Sequence, residues 1–182
     1  MIIASRKRKE NIAEYLLYMW QVEDIIRANR LDINHITANV IDRFENLDDT
    51  QRRQMIEWYE SLIDMMRREE VTQHGHLQIN RNILSDLVRL HQTLLKDPRF
   101  ADYAAEFYRT LPYIVELRSK AGQNRAGEIE TCFNALYGVL MLRLARKPIT
   151  PDTQKAITQI SHFLATLAHN YHLDESDSLF PK

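Results

Sequence analysis

The stretch at residues 12–26, IAEYLLYMWQVEDII, constrains the fold of this chain more than any other. At roughly 100° per residue a helix sets Ile12, Leu16, Met19, Val22 and Ile26 on one stripe, and Ala13, Leu17 and Trp20 widen it past a half-turn. Only Glu10, Glu14 and Gln21 are left as a clear water-facing edge. A helix that is apolar over most of its circumference has to be covered on several sides, which predicts a place in the middle of a bundle.

The rest of the chain offers the covering helices. Helix 1 is predicted over residues 5–28, with Ser5 as its N-cap and the basic residues Arg6, Lys7, Arg8 and Lys9 in its first turns, where the helix dipole disfavours them. Asp32 caps a second helix to about Leu47 that carries Ile33, Ile36, Val40, Phe44 and Leu47 on one face. A third runs from Asp48 or Asp49 to about Val71, with Met55, Tyr59, Leu62, Ile63 and Met66 inside. The loop VTQHGHLQ follows, and its His74 and His76 read as a solvated turn. Asn80 or Asn82 caps helix 4, and Asp97-Pro98 opens helix 5. Pro112 should kink or break helix 5 near Leu111, and Gly122 serves as its C-cap. Helix 6 is predicted over residues 124–146, where Gly138 marks the close approach of a neighbour, helix 1 being the obvious one. Thr150-Pro151-Asp152 opens helix 7, which reaches about His172.

These segments predict an all-α fold, a single domain over residues 1–182 made of about seven helices. Helices 1 and 6 would be central and the tail 173–182 loosely ordered, apart from a docking contact at Leu179 and Phe180. Four glycines and five prolines are too few for the turns of a sheet-rich chain. With 24 basic and 25 acidic residues the net charge is −1, which argues against a nucleic-acid or anionic-membrane surface. The longest apolar run, ALYGVLML, is far short of the roughly 20 residues that span a bilayer. Cys132 is the single cysteine, so an internal disulfide is excluded and a cytoplasmic setting is expected.

Motifs for known chemistry are missing: the chain has no P-loop, GxGxxG, GxSxG, HExxH or Cys-x-x-Cys. His162, His169 and His172 have metal-compatible spacing but lie opposite the stripe of Ile160, Leu164, Leu167 and Tyr171, so no metal and no cofactor are predicted. Four polar residues stand out because they fall among apolar ones: Glu23 on helix 1, His91 on helix 4, Arg118 on helix 5 and Arg143 on helix 6. Buried charges need partners, so Glu23 is expected to pair with Arg143, or failing that Arg118. The competing reading is a polar pocket, ringed by aromatics such as Tyr15, Trp20, Tyr103, Tyr108 and Tyr137, that holds a small ligand.

The run NIAEYLLYMWQVEDIIRANRLDI at residues 11–33 resembles the opening of an uncharacterised all-helical family of small bacterial proteins, one of the domain-of-unknown-function families. The resemblance implies a bacterial cytoplasmic protein and brings no activity or site residue with it. From the residues, the expected function is a helical binding or interaction module without catalysis, acting on a protein partner or by self-association. The alternative is a small-molecule-binding protein or enzyme that uses a polar interior around Glu23 and Arg143 with Arg118, His91 and Tyr15 as further candidates.

Overall fold

The structure, a computed structural model, describes residues 2–120, 126–176 and 178–179. Among them are eight α-helices: α1 (Ile2–Glu10), α2 (Ile12–Ala28), α3 (Ile33–Asn39), α4 (Asp49–Arg68), α5 (Gln78–Lys96), α6 (Ala101–Lys120), α7 (Glu128–Leu144) and α8 (Pro151–Glu175). Two short 3-10 turns, Ile41–Arg43 and Pro98–Phe100, complete the regular structure, and the described residues include no strand. The chain is all-α, as its periodicity required. The described residues of Met1–Glu10 and Glu14–Ile83 form one compact unit, and those of Asn11–Ala13 and Leu84–Lys182 form a second.

In the first unit the stripe of α2 is buried: Leu16, Met19, Trp20, Val22 and Ile26 are all withdrawn from solvent. The expected single helix over residues 5–28 is broken at Asn11: Ser5 lies inside α1, which starts at Ile2, and α2 starts at Ile12. There the Asn11 Oδ1 accepts the backbone N–H of Ala13 at 2.9 Å and caps α2. The break also corrects the reading of the basic cluster. Lys7, Arg8 and Lys9 lie in the last turn of α1, the end at which the helix dipole favours positive charge.

The second predicted helix stops early. Asp32 caps α3 as expected, but α3 ends at Asn39 and the chain turns through Ile41–Arg43, leaving Phe44 exposed. α4 begins with a capping box in which the Asp48 carboxylate accepts from Gln51 N at 2.7 Å and the Gln51 side chain accepts from Asp48 N. It buries Met55, Tyr59, Leu62, Ile63 and Met66.

Several helices end without glycine. After α2, the N–H of Leu31 bonds Ile26 O and that of Arg30 bonds Arg27 O; after α4, Val71 bonds Met66 O and Glu70 bonds Arg67 O. The end of α7 repeats the pattern, with Lys147 to Leu142 O and Arg146 to Arg143 O. This is the Schellman arrangement, and its left-handed residue is Arg30, Glu70 or Arg146, with φ of 59°, 57° and 53°.

In the second unit α8 packs on both α6 and α7, which also touch each other. Tyr103, Phe107 and Ile114 of α6, Ile129, Cys132 and Phe133 of α7, and Ile160, Phe163, Leu164 and Leu167 of α8 are buried. Pro112 does not break α6, which runs uninterrupted from Ala101 to Lys120. Pro112 and Tyr108 are both on the exposed side, so the carbonyl that loses its N–H partner lies where water can satisfy it. The expected cap Gly122 lies outside the described residues, as does Phe180. Leu179 is buried, and α8 continues to Glu175 into the segment expected to be loose.

Gly138 is exposed, and a Cβ built there meets nothing within 4 Å, so it does not mark a close helix approach. Replacing it by alanine therefore removes a helix-propensity penalty without a clash. Gly138→Ala should stabilise the protein by about 0.5–1 kcal/mol, read as a higher denaturation midpoint at unchanged m-value. A destabilised variant would restore the close-approach reading.

Candidate functional site

Glu23 is fully buried on α2, on the stripe between Met19 and Ile26. Its carboxylate meets the start of α5. Oε1 accepts the backbone N–H of Leu77 at 3.0 Å and the Asn80 side-chain amide at 2.6 Å, while Oε2 lies 2.6 Å from His76 Nδ1. The first N–H groups of a helix have no partner inside it, and the helix dipole draws negative charge to that end. Glu69 satisfies the next donor, Gln78 N, at 2.5 Å.

The neighbours of Glu23 on α2 hold the same loop. The His76 ring stacks on Trp20 with centroids 4.2 Å apart at an interplanar angle of 11°. One turn beyond Glu23, Arg27 donates to Val71 O at 3.1 Å and to Gly75 O, and pairs with Asp24. Trp20, Glu23 and Arg27 thus clasp residues 71–77 against α2. His76, expected to be a solvated turn residue, is the carboxylate's ring partner, with 31 % of its side chain exposed.

The predicted partner of Glu23 is elsewhere. Arg143 is exposed near the end of α7 and donates to Gln154 Oε1 at 3.0 Å, so it is not the counter-charge of a buried carboxylate. Arg118, expected on the buried line of helix 5, is partly exposed and lies 3.6 Å from Glu128. Tyr15 is buried, and burial raises its phenol pKa; Arg8, 6.0 Å from the ring centroid, opposes that rise and Glu23 adds to it. Of the aromatics expected to ring a pocket, Trp20 and Tyr103 are buried, while Tyr108 is 62 % exposed.

His91 is buried as its position among leucines required, and its Nδ1 lies 2.7 Å from the Tyr103 hydroxyl. Phe107 and Phe163 meet its ring edge-to-face. Burial pushes the imidazole pKa below its ordinary value, partly offset by Glu128, and burial also raises the Tyr103 phenol. The Cys132 thiol is pushed up to about 12 by burial with a contribution from Glu128, which marks it as an inert core thiol.

A second buried carboxylate escaped the sequence reading. Glu106 shares the inner face of α6 with Tyr103, Phe107, Thr110 and Ile114. Its Oε1 lies 2.7 Å from His162 Nδ1 and accepts the Gln159 amide at 2.7 Å, and Arg109 donates to Oε2. Burial alone would raise this carboxyl, but the hydrogen bonds from His162, Arg109 and Gln159 outweigh it and hold the group below the usual range. The helical period on α6 carried the signal: Glu106 falls between two buried aromatics.

Two open cavities, of about 480 Å³ beside Arg30, Glu60 and Arg67 and about 470 Å³ beside Tyr113, Lys120 and Lys155, involve neither buried carboxylate. Among the described residues no group of three or more His, Cys, Asp or Glu is placed to hold a metal ion. Among them also, no helix is long and apolar enough to cross a membrane.

The model of a family described as a domain of unknown function, DUF4924, matches residues 1–178, and the chain belongs to that family. Comparison with curated proteins and with solved structures found no match.

Two measurements test the site's construction. Glu23→Ala leaves Leu77 N–H, the Asn80 amide and His76 without their acceptor, and should cost at least about 3 kcal/mol. Arg143→Ala, at an exposed position, should stay within about 0.5 kcal/mol in the same denaturation assay. The second concerns pH. Burial makes His91 harder to protonate in the fold than in the unfolded chain, where its ordinary value is 6.5, so stability that is complete above that pH falls as the solution is acidified through it. His91→Gln should flatten this part of the melting-temperature profile, and an unchanged slope would assign the acid sensitivity to other groups.

Proposed function

We propose that this member of the DUF4924 family is a helical binding module of the cytoplasm that acts through contacts with a protein partner, with a second copy of the chain as the first to test. One observation carries the reading. α6 is apolar on two faces: Tyr103, Phe107 and Ile114 are buried, while Tyr108 and Val115 stand 62 % and 57 % exposed with Pro112 between them on the outer side. Side chains of that size, aligned on one exposed helix face, mark a surface that gains by being covered. The net charge of −1 puts little repulsion between two copies.

The competing reading places a small-molecule or catalytic site around Glu23. The Asn80 Oδ1 beside it, buried without a hydrogen-bond partner among the described residues, favours that view. We prefer the interaction module because the Glu23 carboxylate is already engaged by Leu77, Asn80 and His76.

The test is sedimentation velocity over a wide concentration range. The wild type should associate as concentration rises, and Tyr108→Ser combined with Val115→Ser should abolish this while leaving the melting temperature nearly unchanged. A wild type that stays monomeric at every concentration, or a double variant that associates equally, would overturn the assignment to this face.

A further inference from the structure

We propose that His162 is a phosphoryl-acceptor site, its Nε2 taking a phosphoryl group from a small donor with a good leaving group while Glu106 retains the proton on Nδ1. The geometry has the parts such a reaction needs. His162 lies on the outer side of α8 with 70 % of its side chain exposed, yet its Nδ1 is 2.7 Å from a carboxylate that is itself 7 % exposed. An imidazole can attack only through a nitrogen with a free lone pair, and the hydrogen bond made by the other nitrogen decides which one that is. Glu106 is held ionised by Arg109 and Gln159, so it can only accept. The proton is therefore on Nδ1, and the lone pair is on Nε2, at the exposed edge of the ring.

The carboxylate does more than choose the tautomer. A phosphorylated imidazole carries positive charge on the ring, and an ionised partner fixed 2.7 Å from Nδ1 stabilises that cation. Glu106 cannot swing away, because Oε2 is tied to Arg109 and Oε1 also holds Gln159, whose amide reaches Thr110 Oγ1 at 3.1 Å. Lys155, two turns earlier on the same face of α8, is exposed and offers a cation to an approaching phosphate.

The molecule supplies its own controls. His169 and His172 are exposed on the same helix, and neither has a carboxylate hydrogen bond among the described residues. His76 has the same Nδ1–carboxylate contact with Glu23, but its ring is stacked on Trp20 and largely covered.

With phosphoramidate as donor, the step is a simple displacement. The Nε2 lone pair forms the new N–P bond, the donor's own N–P bond breaks, and ammonia leaves with the pair. The imidazolium keeps its Nδ1 proton against Glu106, and no oxidant or reductant takes part.

The experiment incubates the purified chain with phosphoramidate and locates the acid-labile label by peptide mass spectrometry, with phosphorus NMR to distinguish the two ring nitrogens. His162 should be labelled on Nε2, on the order of tenfold faster than His169 or His172. His162→Gln should remove that label, and Glu106→Gln should slow it by a similar factor. Comparable labelling of the three α8 histidines in the wild type, or label on Nδ1 of His162, would overturn the proposal whether or not the Glu106 variant folds.

Discussion

A fully buried carboxylate at the beginning of a helix is the interaction on which the first unit depends. Removing Glu23 from water is costly, and Coulomb attraction alone rarely offsets such a cost. Here the offset comes from geometry. The charge sits where α5 exposes unpaired N–H groups, accepts from Leu77 and Asn80, and meets the His76 ring on its other oxygen. Asn80 consequently lies inside the first turn of α5 rather than at its cap. Because Trp20 and Arg27 hold the same loop from the same helix, residues 71–77 have their path fixed by a single side of α2.

The burial of Glu23 was legible from periodicity, since it shares a stripe with Leu16, Met19 and Ile26. Its partner was not. Periodicity says which way a side chain faces along its own helix and nothing about which distant loop or helix end lies opposite. A buried acid suggested an arginine, whereas the fold used the backbone N–H of Leu77, the Asn80 side-chain amide and a histidine from a segment that looked like a solvated turn. His91 was legible for the same reason as Glu23, and Glu106 was equally readable but overlooked. The break at Asn11 also had a signal, a capping residue directly before an apolar run, masked by the helix-forming charges on either side. Pro112 misled in the other direction. A missing donor on an exposed face can be made good by water, so the helix continued.

The two buried carboxylates use one motif to different ends. Each contacts a histidine Nδ1 at close range, 2.6 Å for Glu23 and 2.7 Å for Glu106. At Glu23 the ring is sandwiched against an indole and the contact closes a loop onto a helix. At Glu106 the ring projects outward, and the same contact leaves a defined tautomer presented to solvent. What differs is the second neighbour of the imidazole, not the hydrogen bond itself.

The glycine-free ends of α2, α4 and α7 have a consequence for how sequences of this kind can drift. Arg30, Glu70 and Arg146 each adopt a left-handed conformation that costs a side-chain-bearing residue about 1 kcal/mol. These positions are distributed strain, and all three side chains are exposed. A lineage weakened by a change in its core could therefore recover stability at a helix terminus, one residue at a time, without altering a buried side chain. The chain has unused thermodynamic slack written into its corners.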